Sequence, residues 1–165
     1  MKNKTLLLQK DADIDWHILE RTLHQQYHVH AVTYHKDGSR LTHGEISWAN
    51  SLCASIKASP TGSEKVWSLT QRRMCCDAGK RECCVREECP AGMLKIVVPI
   101  MIENNVEGFV CLGGRPFVSI NRIYTDTIQC IIGMDKEEIQ KQLVAIRPID
   151  YRTIKEIMTY ITSYN

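Results

Sequence analysis

The sequence predicts an α+β fold, with one antiparallel sheet flanked by helices and a cysteine-rich loop. Three observations carry this. Residues 93–114, "MLKIVVPIMIENNVEGFVCLGG", place two nearly all-apolar arms around a pair of asparagines, the pattern of a β-hairpin. The two ends of the chain instead repeat apolar residues at helical spacing. The 165 residues are 44% hydrophobic and 24% charged, the composition of a chain that buries a core as one domain over residues 1–165.

The N-terminal part, residues 1–26, reads as a helix. Trp16, Leu19 and Leu23 form its apolar stripe, Ile14 and Ile18 lie beside it, and Asp11 or Asp13 is the expected cap. "YHVHAVTYH" (27–35) alternates with period two and reads as a strand. Asp37-Gly38 turns it into a short return strand through Leu41. "ISWANSLCASI" (46–56) is helical, with Trp48, Leu52 and Ile56 on one stripe. "ASPTGS" (58–63) reads as a loop broken by Ser59-Pro60 and Gly62, and "EKVWSLTQRRM" (64–74) as a helix running into the cysteines.

In the hairpin the turn is expected at Asn104-Asn105, because Asn tolerates left-handed backbone. Pro99 donates no ladder hydrogen bond and implies an edge or a bulge. The C-terminal part, 121–165, holds three helices. The first turns Ile123, Ile128 and Ile131 inward and stops at Gly133; the others start at Asp135 and Asp150. The last buries Ile154, Ile157, Met158 and Ile161.

Charge narrows the function classes. A net charge of +2, from 21 basic and 19 acidic residues, gives no footprint for nucleic acid. No apolar run is long enough to cross a bilayer. The stretch after Met1-Lys2 is apolar only through "TLLL", too short for a secretion signal, so the expected compartment is the cytoplasm. Ordinary cysteine pairs stay reduced there, which demotes a disulfide framework.

Five cysteines, Cys75, Cys76, Cys83, Cys84 and Cys89, fall within fifteen positions; Cys53, Cys111 and Cys130 lie elsewhere. Zinc and iron–sulfur centres take four such ligands, usually as C-x₂-C knuckles, and no C-x₂-C occurs here. Composition favours a site and spacing does not. Cys111 and Cys130 read as small apolar filler, whereas the charged neighbours of the cluster of five do not suit that role. His28 and His30 are placed on one face of the first strand and His35 on the other, as surface or satisfied histidines that with Tyr34 could line a pocket. No H-E-x-x-H, G-x-S-x-G or phosphate-cradling loop occurs, so no catalytic constellation is seen and the chain is not expected to be an enzyme.

Taken together, "VHAVTYHKDGSRLT", "LCASI", "CPAGM" and "IVVPIMIENNVEGFVCLGG", followed by closing helices, resemble the PocR sensory domain over about Val29 to Ile161. The most specific parts are "CPAGM" just before "IVVPI" and the glycine-ending hairpin. The resemblance implies a PAS- or GAF-like sensor whose pocket, between sheet and helices, takes a small organic ligand. Tyr34, Trp48, Phe109 and Gly113 are its expected lining. It also implies a metal site of Cys53, Cys76, Cys84 and Cys89, holding zinc or an iron–sulfur cluster. Cys75 and Cys83 stand in reserve, because the span from Cys76 to Cys89 is shorter than the family's. A stand-alone sensor of this kind is expected to signal to a separate regulatory protein, with a homodimer as one possible form and no membrane or direct nucleic-acid contact. Two other readings stay open: a thiol–disulfide redox protein using the cysteine doublets, and a metal-free interaction module.

Overall fold

The computed structural model describes residues 5–8, 13–117 and 122–164. Asp11 and Asn121, an expected cap and an expected first helical residue, lie outside the described residues, as does the side chain of Ile123.

The hairpin organises the sheet. Strand β4 (Leu94–Ile102) pairs antiparallel with β5 (Asn105–Arg115) along its length. The reversal sits one residue earlier than expected: Glu103 (φ 48°) and Asn104 (φ 65°) are the two left-handed residues. A two-residue turn of this hand matches the twist of its strands, and Asn105 already pairs with Ile102. The free edge of β5 takes β2 (His30–His35), also antiparallel. The other edge of β4 is shared by two short strands. β3 (Val85–Glu88) pairs antiparallel with Leu94–Val97, and β1 (Leu6–Leu8) pairs in parallel with Ile100–Ile102. Pro99 falls in the gap between these partners, where that edge has no ladder bond to lose. The parallel strand departs from the expected all-antiparallel sheet.

Both faces of the hairpin are covered, so its run of apolar residues divides by parity. Ile96, Val98, Ile100, Val110 and Leu112 face helices α1 (Trp16–Tyr27) and α6 (Tyr151–Thr162), where Leu23, Ile157 and Ile161 are fully buried. Val97, Phe109 and Cys111 face helix α3 (Leu69–Arg81) through Met74 and Ala78. Helices α4 (Arg122–Ile132) and α5 (Lys136–Ala145) join α2 (Ser51–Ala58) in a third cluster around Leu52, Ile128 and Leu143.

Local sequence explains the helix ends. Asp150 caps α6 by accepting from the Thr153 N–H, and Asp135 caps α5 through the N–H groups of Glu137 and Glu138. α1 is capped by Asp15, which accepts from Ile18, and not by Asp13. Asn50 caps α2, so that helix begins after Trp48 and not at Ile46; the same side chain donates to the Gly114 carbonyl at 2.6 Å. The expected loop at 58–63 is largely helical. The Ser59 hydroxyl accepts from the Gly62 N–H at 2.9 Å, and Pro60 takes the first helical position, where its missing N–H costs nothing. Gly62–Ser68 then forms a π-helical segment that leads directly into α3. After Asp37-Gly38 the return strand shrinks to one bridge, Tyr34 with Arg40.

The cysteine-rich stretch is therefore not one loop. Cys75 and Cys76 lie on α3, Cys83 and Cys84 on the turn after it, and Cys89 at the end of β3. "CPAGM" is the turn between β3 and β4. The Gly92 N–H donates to the Cys89 carbonyl and the Cys89 N–H to the Met93 carbonyl, both at 2.8 Å. Pro90 has the φ that the second residue of such a turn needs. Gly92 adopts φ +84°, and a side chain there would run into the Tyr124 ring.

Candidate functional site: a cleft and a polar interior on one face of the sheet

The face of the sheet turned toward α2, the π-helical segment and α3 carries the polar chemistry. Alternation puts His30, Val32 and Tyr34 of β2 in register with Gly113, Cys111 and Phe109 of β5. Lys95, opposite Gly113, carries a charge into this layer from an otherwise apolar strand.

Toward the α3 end the layer opens into a cleft of about 780 Å³, a volume usual for small-molecule sites. Tyr34, Phe109 and Trp67 supply its apolar wall, and Gln71, Cys75 and Gly79 come from α3. Charged residues lining it are Lys36, Lys57, Arg72 and Lys80 against Asp37. Lys36 is paired with Glu107 at 2.7 Å, which leaves Lys57, Arg72 and Lys80 as the cationic excess. Burial, followed by the neighbouring Cys111, pushes the Tyr34 phenol up to about 12, so it stays a neutral donor.

Behind the cleft the packing tightens around three rings. His30, Trp48 and Trp67 have mutual centroid distances of 5.1–5.2 Å. The Lys95 ammonium lies 4.5 Å from the Trp67 ring centre and Lys57 is 5.6 Å from it, so one indole makes cation–π contacts with two lysines. Lys95 is only 7% exposed, and its nitrogen reaches the Val66 carbonyl at 3.5 Å. His30 Nδ1 is buried without a hydrogen-bond partner. Burial, aided by Lys95, pushes His30 down to about 3 and keeps the ring neutral. A void of about 20 Å³ touches His30, Trp67 and Lys95 together with Cys53 and Cys89, room for a single water.

No disulfide joins any of the eight cysteines. Of the four read as metal ligands, Cys53 and Cys89 are brought together, both buried, one on α2 and one on the "CPAGM" turn. Burial, and next the neighbouring Cys89, pushes the Cys53 thiol up to about 12, and burial raises Cys89 as well. Cys76 is exposed on α3 at the cleft, and Cys84 packs on the opposite side of the sheet, 3.9 Å from the Met158 sulfur. Among the described residues no three His, Cys, Asp or Glu side chains are grouped to hold a metal. The donor set in this arrangement does not fit one four-thiolate centre. The reserve thiols part company too: Cys83 is on the turn after α3, whereas the Cys75 sulfur lies 3.9 Å from that of Cys111. The hydrogen bond with Cys111 pulls the Cys75 thiol down, while burial and the same contact raise Cys111.

Of the expected pocket residues, Tyr34 and Phe109 line the cleft. Trp48 belongs to the ring cluster, and Gly113 borders a separate void of about 10 Å³ with Val29 and Ile149. His28 is not on the strand but closes α1 in a left-handed conformation. Cys130, expected as buried filler, is exposed, and Cys111 is buried as expected. Sequence reasoning passed over Lys95, Trp67 and Gln71. Lys95 had a visible signal, a charge inside "MLKIVVPIMIE"; Trp67 and Gln71 had none, because their orientation depends on the π-helical segment.

Comparison with known proteins decides the family. The sensory domain found in PocR matches residues 15–164, nearly the whole chain. The chain belongs to the PocR sensory-domain family. No curated protein is similar enough to count as a relative. Among solved structures, an IclR homolog from Microbacterium sp. strain HM58-2 is similar at 18% identity and a TM-score of 0.32, over 79% of this chain. The match spans 65% of that homolog, less than two thirds of its length, and is too distant to carry an argument. Within the PocR family the chain has a sensory role. No helix among the described residues is long and apolar enough to cross a membrane.

Proposed function

We propose that this PocR domain senses a small organic molecule bearing a negative charge, held in the cleft between β2, β5 and α3. The observation that carries the reading is the pairing of an apolar wall, Tyr34, Trp67 and Phe109, with the cationic excess of Lys57, Arg72 and Lys80. The wall takes the carbon skeleton by burial, and the lysines and arginine set the sign of the head group. Trp67 touches both the cleft and the ring cluster, so an occupied cleft biases the packing of the π-helical segment and α3. A partner that reads α3 then receives the signal. In this reading the chain is a sensor and catalyses no reaction.

Thermal unfolding and tryptophan fluorescence against a panel of short carboxylates and the matching uncharged alcohols test it. A carboxylate at about a hundred times its Kd adds about 2.7 kcal/mol of stability. The charge-reversed double variant Arg72→Glu/Lys80→Glu, altered only at exposed positions, loses most of that gain. Equal stabilisation by the alcohols, unchanged in the variant, rules the anionic head group out.

A further inference from the structure

Cys75 and Cys111 are 36 residues apart in sequence, yet their sulfurs lie 3.9 Å apart where α3 crosses β5. We propose that this pair is an oxidisable dithiol, a modification site at the floor of the cleft that reacts with hydroperoxides and closes into a disulfide. Two thiols could meet as mere apolar filler. Three features of the geometry set these apart. Cys75 is half-buried and lines the cleft, so a small oxidant reaches it from solvent. Cys111 is buried behind it, lining with Lys95 a void of about 10 Å³, so it is screened from the oxidant and approached through Cys75. The pair also joins two different elements, whereas Cys76, next to Cys75 in sequence, is exposed on the helix surface.

The chemistry balances within the pair and its oxidant. The Cys75 sulfur attacks the peroxide; an S–O bond forms, the O–O bond breaks, and the departing alkoxide leaves as an alcohol after taking a proton. The Cys111 sulfur then attacks the sulfenic sulfur of Cys75. An S–S bond forms, the S–O bond breaks, and hydroxide leaves as water with the Cys111 proton. Two thiols are oxidised by two electrons and one hydroperoxide is reduced to an alcohol and water. The product pins α3 to β5 across the cleft floor. The step does not depend on what the cleft binds.

Peptide mapping of the full chain tests this. Reduced protein is exposed to tert-butyl hydroperoxide, the remaining thiols are alkylated, and the digest is compared with and without dithiothreitol. The expected result is joint loss of alkylation at Cys75 and Cys111 and one linked peptide that dithiothreitol separates. The link persists in Cys76→Ser and is absent from Cys75→Ser, a change at a half-buried position. Cys111→Ala stops at a sulfenic acid on Cys75 that dimedone captures. A link from Cys75 to Cys76 or Cys83, or full alkylation of Cys75 and Cys111 while other thiols oxidise, overturns the proposal.

Discussion

The two faces of the sheet are built on different terms. The face under α1 and α6 is filled mainly with aliphatic side chains; Thr33 Oγ1 is unpartnered there, and the buried cation Arg115 is engaged through all three side-chain nitrogens. Arg115 donates to the carbonyls of Arg147, Tyr27 and Pro148 at 2.9, 2.8 and 2.6 Å, which ties the segment before α6 to the end of β5. The face under α2 and α3 holds a cation with one long backbone contact, a histidine with an unpartnered nitrogen, the thiols of Cys53, Cys75, Cys76, Cys89 and Cys111, and a cleft. Buried polar groups without partners cost stability, so they persist where a neighbouring region carries the fold. One face is packed mainly with apolar side chains; the other combines two smaller buried clusters with the cleft proposed for recognition.

The largest effect that tests this contrast comes from emptying the filled face. Ile157→Ala, at a fully buried position, lowers unfolding free energy by about 2–5 kcal/mol in denaturant titrations. Ligand-induced stabilisation at the cleft remains in the fraction that is folded. A collapse of both would mean that the faces are not separable.

An intermediate effect comes from acidifying the other face. His30 has a folded pKa of about 3 against about 6.5 in an unfolded chain. The unfolded state therefore binds the extra proton between these values. The stability tied to neutral His30 is complete above about pH 6.5 and is lost as pH falls toward 3, at no more than about 1.4 kcal/mol per pH unit. Subtracting the pH profile of His30→Leu from that of the native chain isolates the slope; parallel profiles would show that the ring carries no such linkage.

The smallest effect separates stability from recognition on a single residue. Gly79 lies within α3, and a methyl added there meets the Phe109 ring at 3.6 Å, an ordinary contact. Gly79→Ala stabilises by about 0.5–1 kcal/mol through helix propensity. It also narrows the cleft, so the melting temperature rises while the ligand-induced shift shrinks. A rise in both would place the ligand elsewhere.

What could be read from the sequence was what neighbours in the chain decide. Asp135 and Asp150 announce their helices within three residues, Gly133 closes another with a left-handed φ, and the apolar arms of the hairpin pair across two residues. Pairings between distant segments were not legible. The three residues of β1 carry no local sign that they will lie parallel to β4. Ser59-Pro60 reads equally well as a break or as a cap followed by a first helical residue, and only the Gly62 N–H settles it. At the site, Tyr34 and Phe109 were legible because alternation fixes which way a strand residue points. The contact of Cys75 with Cys111 was not, because it depends on how far α3 is rotated about its own axis.

That rotation is set by the π-helical segment at Gly62–Ser68. A π turn takes up an additional residue relative to an α turn, and each residue of an α-helix advances the chain by about 100°. Winding the same residues as plain α-helix, with none removed, would turn everything after the segment by about that angle. Gln71, Cys75 and Gly79, which look into the cleft together, would leave it together. The set of residues lining the cleft is thus written by how the backbone is wound as much as by side-chain identity. The same turn would swing Met74 and Ala78 off Val97 and Cys111, so one short segment keeps the cleft and this part of the core in step.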